Sequence, residues 1–196
     1  MKKFFKFFAV ALVAGCMFTA CGDKNNNGEG EGEGNTTQTI EDGIKVTFGT
    51  TNWTAANDYT AQEYQGMAYI FAGKDAGMES FPLVNIYATH TVGKVSGAFN
   101  ASDMAYNTQD IVTVDYYNEY SLSSGQSTFG DYWAKTCNWE VVSYDATAMK
   151  ISAKLDAVMF SALEAYVQEF GAVGMDQAST MNMKVTMGNI VLTPAK

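Results

Sequence analysis

Hydrophobic and polar side chains alternate along most of the chain from about residue 40 onward, and this period of two constrains the fold most. In segment 149–159, apolar residues occupy every second position, with lysine, serine or aspartate between most of them. Successive side chains of a β-strand point to opposite faces, so this pattern predicts strands with one buried and one solvated face. Other segments of this kind are 44–48, 66–71, 81–89, 92–99, 110–117, 132–144 and 181–192.

The spacing of these segments defines the fold class. Roughly eight to ten strands in sequence predict an all-β protein, an antiparallel β-sandwich or barrel, in a single domain over residues 40–196. Gly93 and Gly97 indicate a bulged or closely approached strand, and Gly188 is expected to reset the register before Ile190 and Leu192.

One segment has helical spacing instead. Ser161 and Glu164 have the spacing of a capping box, and apolar residues recur at helical intervals at Phe160, Leu163, Val167 and Phe170. We therefore expect one short helix at about 162–170, between the last two strands.

The N-terminus has the pattern of a secretory signal peptide, residues 1–20. Three lysines precede an apolar stretch that ends at Ala20 and is too short to span a bilayer as a permanent helix. Cys21 follows small residues at the polar edge of this stretch, as in a lipobox whose cysteine is acylated. Cys16 is the competing attachment site, and an ordinary signal peptide cleaved near Ala20 is the other alternative. Cys21 is favoured over Cys16 because it leaves only hydrophilic chain after the anchor.

Residues 21–39 predict a tether. After Cys21 the segment consists of Gly, Glu, Asn, Asp, Lys, Thr and Gln, without an apolar residue to bury. We expect a flexible, acidic connection between the acylated cysteine and the folded domain.

Region 1–24 resembles the lipoprotein signals of Bacteroidetes bacteria, which tether many β-domains to the outer membrane. Segment 185–192 is similar to the last strand of calycin-like or sandwich domains in such lipoproteins. The resemblance is good over about 24 residues and weak over the rest. It implies an envelope protein whose membrane partner is reached through the lipid anchor. Only Asp23 lies close behind the cysteine, where the surface-export signal of that group usually has several acids, so periplasmic and surface orientations both stay open. Most members have no assigned function, so no catalytic residues carry over.

The charge composition excludes one class of partner. All 12 basic residues are lysines, and the formal net charge is -9. Without the forked guanidinium donors that bind phosphates and base edges, an acidic chain is not expected to bind nucleic acid.

Candidate catalytic and metal-ligating residues are few. His90 is the one histidine and is interpreted as a surface or loop residue; Cys137 is interpreted as a small buried hydrophobe. We therefore predict no metal site, no cofactor and no catalytic residue.

Acidic residues provide the remaining route to an enzyme. Carboxylate pairs such as Asp110 with Asp115, or Glu119 with Asp131, have the residue types of glycoside hydrolysis. Any acidic β-domain contains such pairs, so we interpret them as solvated charges and expect a protein that is not an enzyme.

Aromatic residues on both sides of the Ser/Gly-rich connection 121–130 are the most suggestive local feature. Alternation assigns Tyr116 and Trp133 to the core, which leaves Tyr117, Tyr120 and Tyr132 as outward candidates for stacking on sugar rings. Cross-strand packing of the same rings is the commoner arrangement.

Methionines suggest a second kind of ligand. Five of them fall on the expected inner faces of the last strands: Met149, Met159, Met181, Met183 and Met187. A Met-rich interior is adaptable enough to enclose an apolar molecule. The sequence as a whole predicts a non-catalytic binding or structural module with glycans as the candidate ligand. The alternatives are an apolar-ligand carrier of calycin-barrel type and a carboxylate-dependent carbohydrate-active enzyme.

Overall fold

The computed structural model describes residues 40–195, except for 56, 58, 79, 122 and 123. The predicted signal peptide, Cys16, Cys21 and the tether lie outside the described residues. The described chain is mostly β-structure, which confirms the all-β fold class. Its strands are β1 (Gly43–Phe48), β2 (Thr51–Thr54), β3 (Tyr59–Tyr64), β4 (Met67–Gly73), β5 (Leu83–Thr89), β6 (Gly93–Asn100), β7 (Ala105–Tyr106), β8 (Ile111–Ser121), β9 (Ser127–Asp145), β10 (Lys150–Ser161), β11 (Thr180–Val191) and β12 (Thr193–Pro194). Twelve strands in the described part exceed the eight to ten predicted, because short β2, β3, β7 and β12 carry too few alternations to be recognised.

The strands form one large curled sheet. Its order is β12-β3-β4-β5-β8-β9-β10-β11-β1-β2, and every neighbouring pair is antiparallel except β12 with β3. β12 follows β11 after the single residue Leu192 and pairs with β3. The path of paired strands therefore returns to the β11–β12 segment, so the sheet closes around its own inner face.

β9 is long enough to pair with two different strands along one of its edges. Its first part pairs with β8, from Ser127 to Trp133, and its later part pairs with β6, from Thr136 to Val141. The opposite edge pairs with β10 from Tyr132 to Asp145.

A continuous apolar core fills the inner face of the sheet. Trp139, Tyr116, Met159, Met183 and Met187 are among its largest side chains, and each is at most 1% exposed. Burial of this apolar surface is the main stabilising contribution to such a fold. Met149 packs against the core, whereas Met181 is 41% exposed, so its predicted inward orientation is wrong.

Two bulges shift the alternation away from the sequence-based expectation. On β9, Ala134 pairs with Met159 and Thr136 with Val158, so Lys135 has no counterpart on β10. The extra residue turns Trp133 to the opposite face from Cys137 and Trp139, with which it was expected to lie. On β8 a similar irregularity buries Ile111 and Val114 and leaves Val112 half-buried.

The predictions for Gly97 and Gly188 hold, whereas a Cβ on Gly93 would meet nothing within 4 Å. A Cβ on Gly97 would lie 3.2 Å from Ile111 Cδ1 and 3.3 Å from Thr108 Cγ2, so this strand is closely approached. At Gly188 a Cβ would collide with the backbone carbonyl of Glu41. The register of β10 with β11 shifts beside it, between Ile151 and Ala153, as the predicted reset requires.

The helix begins where predicted and ends early. Helix α1 (Ala162–Tyr166) starts at Ser161, whose Oγ accepts a hydrogen bond from the Glu164 amide at 3.3 Å. The Glu164 carboxylate accepts from the Ser179 amide at 2.7 Å instead of turning back to the cap. Val167 is extended, and one 3-10 turn, Gln168–Phe170, follows, so the predicted helix over 162–170 is interrupted.

Candidate functional site

The face of the sheet that points away from the core is unusually aromatic over β4, β5, β8 and the first half of β9. Most of its side chains are half-buried. We call this surface the outer aromatic face; its residues are Tyr69, Phe71, Asn85, Tyr87, Asp115, Tyr117, Phe129, Asp131 and Trp133. Strand register brings them together, since residues directly opposite each other share a face.

Asp115 lies at the centre of the outer aromatic face. It is opposite Asn85 on β5 and opposite Trp133 on β9. Phe71 pairs with Asn85 on the far side of β5, which continues the row onto β4. In the next row, Tyr117 is opposite Asp131. The two carboxyl groups are therefore diagonal neighbours on adjacent strands.

Each carboxyl group receives hydrogen bonds from within the face. Asn85 Nδ2 donates to Asp115 Oδ2 at 3.3 Å, and the Tyr117 hydroxyl donates to the same oxygen at 3.4 Å. Trp133 Nε1 donates to Asp131 Oδ2 at 2.8 Å. These bonds hold both carboxyls against the sheet, so they are not the freely solvated charges that the sequence suggested.

Burial makes ionisation of both carboxyls costly. It raises the pKa of Asp115 well above its ordinary value, and the charge of Asp131 raises it further. Burial also raises the pKa of Asp131 to about 6, with the hydrogen bond from Trp133 acting in the opposite direction. Burial, followed by the charges of Asp115 and Asp131, raises the pKa of Tyr117, so its hydroxyl remains a donor at neutral pH.

Two acceptor atoms of the face have no donor. Asn85 Oδ1 and Asp131 Oδ1 are buried and make no hydrogen bond within the described part of the chain. Buried polar atoms are nearly always paired, because an unpaired one costs about 1–3 kcal/mol. Both atoms are acceptors that no described group uses.

Aromatic pairs border this polar centre. The rings of Tyr69 and Tyr87 meet edge to face with centroids 6.2 Å apart. On the other side, Phe81 and Phe129 stack with centroids 5.9 Å apart and are 38% and 39% exposed. A polar centre with half-buried tyrosines on one side and exposed phenylalanines on the other is the composition of a surface that binds small amphipathic molecules.

The three tyrosines predicted to point outward differ in position. Tyr117 belongs to the outer aromatic face, as predicted. The backbone of Tyr120 pairs with Thr128, and its side chain is not described. Tyr132 lies opposite Tyr116, and its ring meets the core residue Phe48 with centroids 5.0 Å apart. The outward orientation predicted for Tyr132 is wrong, because the bulge at Lys135 reverses the alternation of this part of β9.

The histidine and the cysteine lie elsewhere. His90 lies in the loop after β5 and stacks on Tyr144 with ring centroids 4.2 Å apart, and its Nε2 is 3.6 Å from Glu63 Oε1. Cys137 is 2% exposed, and burial raises its thiol pKa to about 12, which confirms a buried hydrophobe. In the described chain, no group of three or more His, Cys, Asp or Glu residues is placed to hold a metal ion.

The sequence contained part of this site. Asp115 and Asp131 were noted, each with the wrong partner, while Asn85, Tyr69 and Tyr87 were missed. In the sequence, these three residues are recognisable as polar or tyrosine positions that alternate with the buried residues of β4 and β5. Only strand order shows that these positions adjoin Asp115.

No family model, curated protein or solved structure matches this chain. Within the described residues, no helix is long and apolar enough to cross a membrane.

Proposed function

We propose that the protein is a lipid-anchored lipoprotein of the cell envelope and a non-catalytic binding module that takes glycans on its outer aromatic face. The observation that carries the proposal is the exposed, stacked pair Phe81 and Phe129, which borders the polar centre of the outer aromatic face. A sugar ring offers an apolar face for stacking and hydroxyl donors at its edges, which complements this composition.

The anchor completes the proposal. Acylation at Cys21 would hold the domain at a membrane, and residues 22–39 would let it stand off the surface. The formal net charge of -9 favours this arrangement, because anionic lipid headgroups repel an acidic domain.

Binding of neutral oligosaccharides tests the proposal. Maltohexaose, cellohexaose and xylohexaose are titrated into the full chain and followed by calorimetry, after a glycan array has surveyed a wider set. Saturable binding that is weakened by substitution of Phe81 or Phe129 supports glycan recognition at this face. Absence of binding to all three probes and to the array contradicts it.

A carboxylate-dependent carbohydrate-active enzyme is the second candidate. Its support is the proximity of Asp115 and Asp131, whose burial and mutual charge favour one protonated and one ionised carboxyl. Release of new reducing ends from an oligosaccharide, abolished by Asp131→Asn, would favour this candidate over a binding module.

The apolar-ligand carrier has less support. Such a ligand would need room inside the curled sheet, where Trp139, Met159, Met183 and Met187 are already packed into the core. If native mass spectrometry of the purified full chain shows a co-purifying lipid, the carrier becomes better supported than the glycan-binding module.

A further inference from the structure

An exposed tyrosine ring lies over the outer aromatic face at the end that is remote from Phe81 and Phe129. Tyr166, the last residue of α1, is 37% exposed, and its ring centroid is 5.8 Å from that of Trp133 and 6.1 Å from that of Phe160. Trp133 and Phe160 are opposite each other on β9 and β10, so they share a face of the sheet. Tyr166 therefore covers this end of the face with a ring that is still open to solvent.

The position of Tyr166 is fixed by packing and by an ion pair. A second, smaller buried cluster packs α1 onto the sheet; its members are Phe160, Ala165 and Ala178. The bulge residue Lys135 on β9 has its Nζ 2.8 Å from Oδ1 of Asp176, which lies in the connection from α1 to β11. A ring that is held in place before binding loses little conformational entropy when a ligand stacks on it.

The two exposed aromatic positions are separated by a short stretch of β9. Phe129 and Trp133 are four residues apart on this strand, without a bulge between them, and both point away from the core. A strand rises about 3.3 Å per residue, so these two positions are about 13 Å apart. Tyr166 lies over Trp133 on the side of β10 and not on the side of Phe129. One sugar ring cannot contact both positions, whereas an oligosaccharide can.

Each aromatic position has an exposed carboxylate beside it. Glu119 is opposite Phe129 on β8 and is exposed. Burial raises the pKa of Tyr166, and the charge of the exposed Asp176, which lies nearby, raises it further. Solvated carboxylates of this kind accept hydrogen bonds from sugar hydroxyls, and their charge repels anionic ligands. The polar groups at both positions therefore favour a neutral glycan.

We infer that Tyr166 is a second stacking position, and that one neutral oligosaccharide contacts it together with Phe129, so that the site selects extended chains over mono- and disaccharides. The inference rests on the proposed function and adds to it the length of the ligand and a further contact residue. A chain that is already held at one ring meets the other ring as an intramolecular contact. Affinity should therefore rise with chain length until both rings are occupied.

Chain length tests the inference in the wild-type full chain. Maltose, cellobiose and xylobiose are compared with the corresponding hexasaccharides by calorimetry. A hexasaccharide that binds should do so with one molecule per protein and at least about tenfold more tightly than its disaccharide, as expected for one additional aromatic contact. Equal affinity of the two lengths, or binding of two hexasaccharides per protein, would overturn the inference. This comparison needs no variant, so a destabilised variant does not remove the test.

Substitution of Tyr166 identifies the second position. Tyr166→Ala should weaken hexasaccharide binding about tenfold and remove most of the advantage of the hexasaccharide over the disaccharide. Tyr166→Phe keeps the ring and should bind as wild type does. Val191→Ala changes an exposed apolar side chain on β11 and is the control outside the face. Unchanged hexasaccharide affinity in Tyr166→Ala would overturn the inference.

The outcomes separate the two proposals. Binding that is weakened in Phe129→Ala, unchanged in Tyr166→Ala and independent of chain length would overturn the second position and leave the glycan-binding function standing. Failure of every glycan to bind would contradict the function and the second position together.

Discussion

Tyr106 donates a hydrogen bond through its phenolic hydroxyl to the backbone carbonyl of Val114 at 3.0 Å. The same hydroxyl accepts from the Ala134 amide at 3.2 Å. Val114 is on β8 and Ala134 is on β9, immediately beyond the last pair of these strands, Asp115 with Trp133. The tyrosine therefore replaces the ladder hydrogen bonds where β9 leaves β8 and turns to β6.

Removal of this hydroxyl should destabilise the fold. Tyr106→Phe leaves one buried carbonyl and one buried amide without partners, at a cost of about 1–3 kcal/mol in the free energy of unfolding. Urea denaturation measures the change. Tyr64→Phe, which alters a ring that is 51% exposed, is the matched control and should be neutral. Equal stability of the two variants would show that Tyr106 does not bridge the strands.

Alternation predicted the long strands and failed at their irregularities. The segments assigned to β1, β10 and β11 were located within a few residues, because their buried face repeats over many positions. A bulge is one unpaired residue that depends on the neighbouring strand, so nothing local marked Lys135. Glycine is the exception, because Gly188 in the sequence correctly predicted a register shift in β11.

Substitution of Gly188 tests that exception. A methyl group at this position collides with the Glu41 carbonyl, which is backbone and cannot rotate away. Gly188→Ala should lower the free energy of unfolding by about 1–3 kcal/mol. Thermal and urea denaturation, with Thr186→Ala on the same strand as the control, measure the effect. A stability loss no larger than the control's would mean that the β1–β11 edge adapts freely.

The outer aromatic face was less predictable than the core. Core residues are set by hydrophobicity and parity, whereas Asp115 meets Asn85 and Asp131 only through the order of β5, β8 and β9. The acidic composition also led to the wrong expectation that Asp115 and Asp131 are solvated, because most aspartates of an acidic domain are. Their burial by neighbouring rings arises only when the strands assemble into the sheet.

The buried carboxyls should make stability depend on pH. The folded-state pKa of Asp131 is about 6, above the ordinary value, so the folded protein binds more protons than the unfolded chain between these values. Its contribution to the free energy of unfolding therefore falls as pH rises from about 4 to about 6, by on the order of 1–3 kcal/mol. Below about pH 4 this cost is absent.

Paired variants isolate that contribution. Asp131→Asn should gain stability relative to wild type as pH rises through this window, measured by urea denaturation at each pH. Asp110→Asn, which removes an exposed carboxylate just before β8, is the matched control. If the two differences run parallel across the window, burial of Asp131 has no energetic consequence.

Two exposed rings at the border of the outer aromatic face should contribute to glycan affinity. Phe81 and Phe129 stack on each other and are both more than a third exposed, so alanine at either position should leave the fold intact. Loss of one stacking surface should weaken oligosaccharide binding about tenfold, a central value for an aromatic contact. Calorimetry measures the affinity. Val191→Ala, an exposed apolar position on β11, should bind as wild type does, and a similar loss in this control would indicate non-specific adhesion.

Lipid attachment should depend on Cys21 and not on Cys16. The sequence after Cys21 is hydrophilic throughout, whereas processing at Cys16 would leave apolar Met17 and Phe18 at the mature terminus. Cys21→Ser in the full chain should therefore abolish the acyl mass increment and move the protein from the membrane fraction to the soluble fraction. Cys16→Ser should retain both. Mass spectrometry of the mature N-terminus from each variant decides between the cysteines, and the reverse pattern would move the anchor to Cys16. An unmodified Cys21 in wild type would leave an ordinary secreted β-domain.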